Sequence, residues 1–212
     1  GDEIYTVYVK DLESGELVGD PISDTSGDLE WAGDSETLFF TSLDDAHRAS
    51  SLKRRRVDGE GGTEELYREG DPRVHMSLDQ TRSQEYLVLE LASPLTTEVR
   101  ILPADQPRGR FEMMAPRHEG VRYTVEHDGS AFYVLSNAPE GGEYASNYRL
   151  MRAEEDSRSR KDWQEVLPAR ADVSLEGLDA FEGHLVVWER QGGQAHLRVM
   201  SDDIETDFRV EL

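Results

Sequence analysis

The stretch SQEYLVLEL (residues 83–91) decides the fold, because a polar turn leads directly into a dense run of aromatic and branched apolar residues. The same pattern recurs in GDSETLFFTS (33–42), GSAFYVLSN (129–137) and GHLVVWER (183–190). The anchor residues of the four runs are Leu38, Tyr86, Phe132 and Leu185. Successive anchors are 48, 46 and 53 residues apart. Self-similarity at such a spacing is typical of repeat architectures.

Each dense run has companion segments at the same spacing. An alternating segment follows it: SLKRRRV (51–57), TEVRIL (97–102), YRLMRA (148–153) and AHLRVM (195–200). A third segment comes next: EELYRE (64–69), RFEMMA (110–115), DWQEVL (162–167) and DFRVEL (207–212). A fourth precedes the dense run: DLEWAG (28–33), RVHMSL (73–78), VRYTVEH (121–127) and VSLEGLDAF (173–181). Each repeat therefore predicts four short strands separated by turns.

Four strands in about 40–50 residues are typical of a β-propeller blade, whose sheet is buried by stacking on its neighbours. The N-terminal segments EIYTVYVK (3–10) and ELVG (16–19) predict the outer half of one more blade. The sequence thus predicts an all-β chain, a partial β-propeller of about four and a half four-stranded blades. The predicted boundaries are an outer half-blade at 1–26 and blades at 27–70, 71–118, 119–170 and 171–212.

The charge of the chain limits its partners. Forty-five acidic and 23 basic residues give a net charge of −22. Proteins that bind nucleic acid or anionic membranes rely on basic residues, so neither partner is expected. A cationic partner or simple solubility agrees with this acidity. The chain contains no cysteine, which excludes disulfides and thiolate metal sites, and no apolar run long enough to span a bilayer. The start without Met or signal peptide indicates a piece of a longer protein.

One histidine stands between two acids, in Glu126-His127-Asp128. This triplet fits either an acid–base centre or the polar tip of a hairpin. The following Asp-Gly pair is a strong hairpin signal, and the equivalent links of other repeats carry no histidine, so we favour the hairpin. The remaining histidines show no ligand-pair spacing, and no G-x-S-x-G nucleophile motif is present. We therefore expect no catalytic, cofactor-binding or metal-binding residue in this chain, and no cofactor.

Two further charged segments favour structural roles. VDGEGGTEEL (57–66) contains Asp58, Glu60, Glu64 and Glu65 around glycines, but it lacks the spacing of a calcium loop. We expect a hairpin there. KRRR (53–56) is the only basic run, and alternate members of a strand point to opposite faces. We expect these residues to pair with nearby acids.

Several segments resemble the N-terminal propeller of the prolyl oligopeptidase family of serine peptidases, in particular its oligopeptidase B branch. The most specific are S-L-x-x-T-R-S (77–83), T-T-E-V-R (96–100), V-E-H (125–127) and L-E-G-L-D-A-F (175–181), with KDLESGEL (10–17) in addition. The resemblance runs over nearly the whole chain in order, which makes it more specific than a generic propeller repeat.

The resemblance implies a parent protein with a seven-bladed propeller and an α/β-hydrolase domain that carries a Ser, Asp and His triad. Oligopeptidase B cleaves short peptides after Arg or Lys, and its propeller excludes folded proteins. This chain would then be a non-catalytic gating and docking segment, with the triad outside it. Its expected partners are the hydrolase domain of the same parent and basic oligopeptides, and its expected location is the cytoplasm.

Two other functions stay open at this point. A stand-alone propeller scaffold would bind a partner protein through its loops. A propeller with its own active site, as in sialidases, would need a cluster of arginines and a Tyr–Glu pair, which no spacing here picks out. We also expect the open faces of an incomplete propeller to drive self-association, because they expose apolar surface and edge strands.

Overall fold

The computed structural model describes residues 3–139, 143–201 and 207–211. These residues form β-strands joined by turns, with one short 3₁₀ helix at Arg160–Asp162. Within this part of the chain, no helix has the length and apolarity that crossing a lipid bilayer requires.

The first sheet has five strands in chain order: β1 (Tyr5–Lys10), β2 (Leu17–Trp31), β3 (Thr37–Leu43), β4 (Ala49–Arg56) and β5 (Thr63–Arg68). The predicted division at residue 26 falls inside β2. This strand pairs with β1 through residues 17–25 and with β3 through residues 25–31. Asp24 and Gly27 have positive φ angles of 58° and 98°, and shifts of register lie close by. Such irregularities bend and twist a strand locally, and here one strand changes its partner along its length.

Three further sheets follow, each with four antiparallel strands in chain order. The second contains β6 (His75–Gln80), β7 (Tyr86–Ala92), β8 (Thr97–Pro103) and β9 (Glu112–Met113). The third contains β10 (Tyr123–His127), β11 (Phe132–Ser136), β12 (Arg149–Ala153) and β13 (Gln164–Leu167). The fourth contains β14 (Val173–Phe181), β15 (His184–Gln191), β16 (Gln194–Ser201) and β17 (Asp207–Glu211). These sheets confirm the predicted all-β fold of four-stranded repeats, and the last residue predicted for β17, at 212, lies outside the described residues.

Strand β9 is shorter than predicted, with two residues where the sequence indicates six. The Met114 N–H still donates to the Val99 carbonyl at 2.9 Å, which extends the pairing by one residue. Pro116 follows closely and has no N–H to continue the ladder.

The chain divides into two compact units. Unit 1 contains residues 1–80, 86–93 and 100–112, and unit 2 contains residues 81–85, 94–99 and 113–212. The core of unit 1 includes Phe39, Leu52, Leu87, Leu89 and Leu91. The core of unit 2 includes Tyr133, Leu150, Val173, Leu185 and Val187. In both units the dense apolar runs supply the buried strands, as the repeat predicts.

The fourth sheet has one buried and one apolar exposed face. Its exposed face carries two rows of directly opposed residues, Val186–Val199–Phe208 and Trp188–Leu197–Val210. Phe208 is 51% exposed and Trp188 is 45% exposed. We call these six residues the open face. Contiguous apolar surface of this kind marks an interaction site in a soluble protein.

Candidate functional site

Three hairpin turns of unit 2 meet around one cavity. The turns connect β6 to β7, β10 to β11 and β14 to β15, and the cavity has a volume of about 560 Å³. Its lining includes Arg82, Ser83, Glu85, Asp128, Phe181 and Glu182. The lining is therefore mostly polar, with acidic side chains from all three turns.

His127 is the last residue of β10, and its side chain is fully buried. It lies opposite Phe132 of β11, with the ring centroids 4.8 Å apart. The hairpin turn itself is confirmed: the Asp128 carboxylate accepts the Ser130 and Ala131 N–H groups, and Gly129 has a φ of 101°. His127 itself lies one residue before the turn, at the end of β10, and its imidazole packs inward.

The imidazole of His127 contacts side chains from two distant segments. Its Nδ1 lies 2.9 Å from the Ser83 hydroxyl oxygen and 3.8 Å from Glu85 Oε2. Its Nε2 lies 3.4 Å from Oε1 of Glu155, in the link between β12 and β13. Nδ1 also accepts the Gly129 N–H at 3.2 Å, which places the proton of the neutral ring on Nε2. We call Glu85, His127 and Glu155 the histidine cluster.

Burial sets the charge of this histidine. Loss of hydration lowers the pKa of His127 below its ordinary value of 6.5, against the opposing pull of the Glu85 and Glu155 carboxylates. The ring is therefore neutral near pH 7. A neutral imidazole is the form that accepts a proton or coordinates a metal ion.

Ser83, His127 and Glu155 are arranged in the order of a catalytic serine, histidine and acid. The Ser83 hydroxyl, however, has a structural role. This hydroxyl lies 2.9 Å from Thr81 Oγ1, and its oxygen accepts the Glu85 N–H at 3.2 Å. Both contacts belong to the β6–β7 turn, where a serine hydroxyl commonly bonds a backbone N–H two residues on. The sequence alone does not reveal this group, because Ser83 precedes His127 by 44 residues and no motif links the two positions.

A second charged group lies at the same turns. The Arg82 guanidinium donates to Asp179 Oδ1 at 2.6 and 2.9 Å, and the Arg82 backbone N–H donates to Glu126 Oε2 at 3.1 Å. Asp179 Oδ2 accepts the Trp188 indole N–H at 2.9 Å. Burial raises the pKa of Glu126, and the Arg82 contacts oppose that rise. Arg82 thereby joins acids from β10 and β14, the first strands of the third and fourth sheets.

Unit 1 carries a group of acids on β2 and β6 as well. Asp28 and Glu30 lie on β2, and Asp79 lies on β6. Burial raises the pKa of Asp28 and of Glu30, and the nearby charge of Asp79 raises both further. We call these three residues the acidic trio. Their mutual repulsion favours a cation in their vicinity.

A buried carboxylate on β15 has the opposite surroundings. Glu189 is 1% exposed and contacts three guanidinium groups, which we call together the arginine cluster. Arg209 lies 2.8 Å from Glu189 Oε2, Arg198 lies 3.5 Å from Oε1, and Arg170 donates to Oε1. Asp207 also pairs with Arg198. This carboxylate is fully compensated and ties β15, β16 and β17 to the segment before β14.

The segment 57–66 forms the turn between β4 and β5 and the first residues of β5. It is therefore part of a hairpin, in agreement with the prediction. Its carboxylates contact basic residues of the KRRR run. Glu64 lies 2.7 Å from Arg54, and Asp58 lies 2.8 Å from Arg56. Arg56 also contacts Glu36 at 2.7 Å. The expected pairing of these arginines with nearby acids is confirmed.

Comparison with known proteins agrees with the propeller repeat. The family model for the prolyl oligopeptidase N-terminal beta-propeller domain matches residues 1–212. Dipeptidyl aminopeptidase BI of Pseudoxanthomonas mexicana is 32% identical over 210 residues, which are 98% of this chain and 28% of that protein. Protease 2 of Moraxella lacunata is 26% identical over 205 residues, 95% of this chain and 29% of that protein.

A solved structure extends this likeness to three dimensions. Oligopeptidase B from Leishmania major superposes with a TM-score of 0.87 at 26% identity, over 100% of this chain and 30% of that one. The chain thus spans less than a third of the length of these relatives. The repeat, the four sheets and the match over every residue lead to one assignment: this chain belongs to the prolyl oligopeptidase family and lies within its N-terminal β-propeller domain.

Proposed function

We propose that this chain is a non-catalytic gating and docking segment of an oligopeptidase B-like serine endopeptidase that cleaves short peptides after Arg or Lys. Acids on one strand of each of the four sheets carry this proposal. They comprise Asp28 and Glu30 on β2, Asp79 on β6, Glu126 on β10 and Asp179 on β14. The names of similar proteins, Protease 2 and oligopeptidase B, support the peptidase class.

Acids in these positions favour basic peptides. Propeller blades surround a central channel, and carboxylates that face such a channel attract cationic substrates. Burial, with a further contribution from the charge of Asp79, raises the pKa values of Asp28 and Glu30. A cationic Arg or Lys side chain of a short peptide would relieve this repulsion.

The docking half of the proposal concerns the rest of the parent protein. We expect a seven-bladed propeller and an α/β-hydrolase domain on the same chain, with the Ser, Asp and His triad in that domain and a cytoplasmic location. Reading the gene beyond Leu212 tests this directly. A G-x-S-x-G motif followed by Asp and His supports the peptidase, whereas a stop codon without that motif supports the stand-alone scaffold.

The gating half is tested by charge removal in the complete gene product. Changing the acidic trio to Asp28→Asn, Glu30→Gln and Asp79→Asn should lower kcat/KM for an Arg-containing peptide several-fold and reduce its dependence on ionic strength. The matched control changes three exposed acids, Glu13→Gln, Glu16→Gln and Asp20→Asn, and removes the same net charge. Equal effects of the two triple variants, or a kcat/KM that is independent of salt in the unmodified enzyme, would refute local attraction of basic peptides.

The relative from Pseudoxanthomonas mexicana, named a dipeptidyl aminopeptidase, favours a second activity. A dipeptidyl aminopeptidase releases dipeptides from a free amino terminus, whereas an endopeptidase cuts inside a peptide. Mass spectrometry of the products from one internal-Arg peptide, with free and with acetylated amino terminus, separates these activities. Cleavage after Arg in both peptides supports the endopeptidase, and cleavage of the free peptide alone into dipeptides supports the alternative.

We also propose that the 212-residue chain self-associates through the open face. Phe208 and Trp188 are about half exposed there, on a face with further apolar neighbours. Light scattering over a range of concentrations should show an increase in mass that the double variant Trp188→Glu and Phe208→Glu abolishes. A monomer at all concentrations would refute this proposal.

A further inference from the structure

We infer that Glu85, His127 and Glu155 form a binding site for a divalent transition-metal ion, with Zn²⁺ the best match. One ligand atom from each of these side chains lies within 4.8 Å of the others. The three residues belong to different segments of unit 2: the β6–β7 turn, the end of β10 and the β12–β13 link. An ion at this point would therefore hold the three segments together.

The donor set decides the class of ion. One imidazole nitrogen and two carboxylate oxygens suit Zn²⁺ and related first-row ions, whereas Ca²⁺ and Mg²⁺ prefer oxygen ligands alone. The two carboxylates neutralise the charge of a divalent ion.

The distances are close to those of a formed site. Two ligands bound at about 2.1 Å at a tetrahedral angle lie about 3.4 Å apart. His127 Nε2 and Glu155 Oε1 are already separated by 3.4 Å. The Glu85 carboxylate lies 3.8 Å from Nδ1, and its side chain is 54% exposed, so it has room to turn toward an ion on Nε2.

The surroundings supply a second shell for the histidine. With Nε2 on the metal, the ring proton moves to Nδ1, which gives up the Gly129 N–H and donates to the Ser83 hydroxyl oxygen across the present 2.9 Å. The Ser83 hydroxyl in turn donates to Thr81 Oγ1, also at 2.9 Å. Metal-bound histidines almost always donate their other N–H in this manner, which fixes the orientation of the ring.

The site also has an entrance. Glu85 and Ser83 line the cavity of about 560 Å³, and Glu155 is 48% exposed. An ion would approach the cluster past these two exposed glutamates, and water would supply a fourth ligand. A site with three protein ligands and one water leaves a position that a small anion or a substrate carboxylate can occupy.

Titration calorimetry with Zn²⁺ on the metal-stripped chain tests the site. We expect one ion per chain with a dissociation constant of about 1 μM or tighter, and a Tm that rises with the Zn²⁺ concentration. Glu85→Gln and Glu155→Gln should each weaken binding at least tenfold. Both glutamates are about half exposed, so these variants should fold even if the buried His127→Gln variant does not.

The matched control is Glu182→Gln, an exposed glutamate that lines the same cavity but lies outside the cluster. It should bind Zn²⁺ as the unmodified chain does. Equal weakening by Glu182→Gln and Glu155→Gln would overturn the site, because it would indicate diffuse attraction to surface acids. Binding no tighter than about 1 mM, or equal binding of Ca²⁺ and Zn²⁺, would overturn it as well.

Discussion

The arginine cluster and the histidine cluster are two buried ionisable centres of unit 2 with opposite surroundings. The Glu189 carboxylate contacts three guanidinium groups, so its charge is compensated by side chains alone. The His127 imidazole is neutral and lies between two carboxylates. A buried charge is tolerated when it is paired, whereas carboxylates around a neutral ring attract a cation from outside. The first centre is structural, and the second is suited to a ligand.

The largest expected effect comes from the compensated centre. Glu189→Gln should lower the free energy of unfolding by about 3–5 kcal/mol, because it leaves three guanidinium groups facing one another. Urea denaturation measures this loss. Glu176→Gln is the matched control: its carboxylate pairs with Arg190 at the surface, where both side chains are more than a third exposed. A loss no greater than that of the control would show that Glu189 does not organise its cluster.

A neutral buried group gives the next largest effect. The Tyr123 hydroxyl donates to the Ala115 carbonyl at 3.0 Å and accepts the Val99 N–H at 2.9 Å. Burial raises the pKa of Tyr123 to about 12, so the group stays neutral. Tyr123→Phe should cost about 1–3 kcal/mol of unfolding free energy, because two backbone groups lose their partner. Tyr8→Phe, at an exposed tyrosine, should cost nothing measurable by the same denaturation experiment, and equal losses would contradict the assignment.

Removal of the Ser83 hydroxyl should change the metal affinity of the histidine cluster more than the stability of the protein. Ser83→Ala removes the expected acceptor for the His127 ring proton, and it should weaken Zn²⁺ binding about tenfold. The metal-free variant should lose only about 1 kcal/mol of unfolding free energy. Calorimetry and urea denaturation measure the two quantities, with Ser14→Ala in the β1–β2 turn as control. Unchanged Zn²⁺ affinity would show that the Ser83 hydroxyl does not orient the metal-binding histidine.

The smallest effect is expected at the acidic trio, where carboxylates face one another. The pKa values of Asp28 and Glu30 are raised above their ordinary values of 3.8 and 4.5. The folded protein therefore binds these protons more tightly than the unfolded chain, and its stability falls as pH rises through the window above those values. Asp79→Asn should remove part of this loss and stabilise the protein by less than about 1 kcal/mol near pH 7.

The gain should vanish at low pH, where Asp28 and Glu30 are protonated in the folded and the unfolded state. Thermal unfolding at several pH values measures it. Asp20→Asn, at an exposed acid of β2, should show no such pH dependence. Destabilisation by Asp79→Asn near pH 7 would contradict the repulsion among the three acids.

Much of the fold follows from the sequence, because the residue pattern of a strand is local. The dense runs around Phe39, Leu89 and Val134 become buried strands, and the Asp128-Gly129 turn forms where the pair predicts it. The long strand β2 was not predictable in this way. Its change of partner near Thr25 depends on pairings with two different strands, and no local pattern records them.

The candidate site was less predictable than the fold. His127 drew attention through its acidic neighbours Glu126 and Asp128, but its closest contacts are Ser83 and Glu155, from other segments. Their side chains approach the ring only because the fold brings the β6–β7 turn and the β12–β13 link to the same place. Motif spacing detects ligands on one element, and it does not detect ligands that separate repeats contribute.

The sequence by itself determined the repeat, the all-β class, the acidity and the family resemblance, because each depends only on residue order and composition. Only the tertiary structure decided which charges are compensated. Glu189 and His127 both occupy ordinary strand positions, and nothing in their neighbours along the chain distinguishes them. The difference arises from Arg170, Arg198 and Arg209 around one and from Glu85 and Glu155 around the other, because electrostatic energy depends on distance in space and burial.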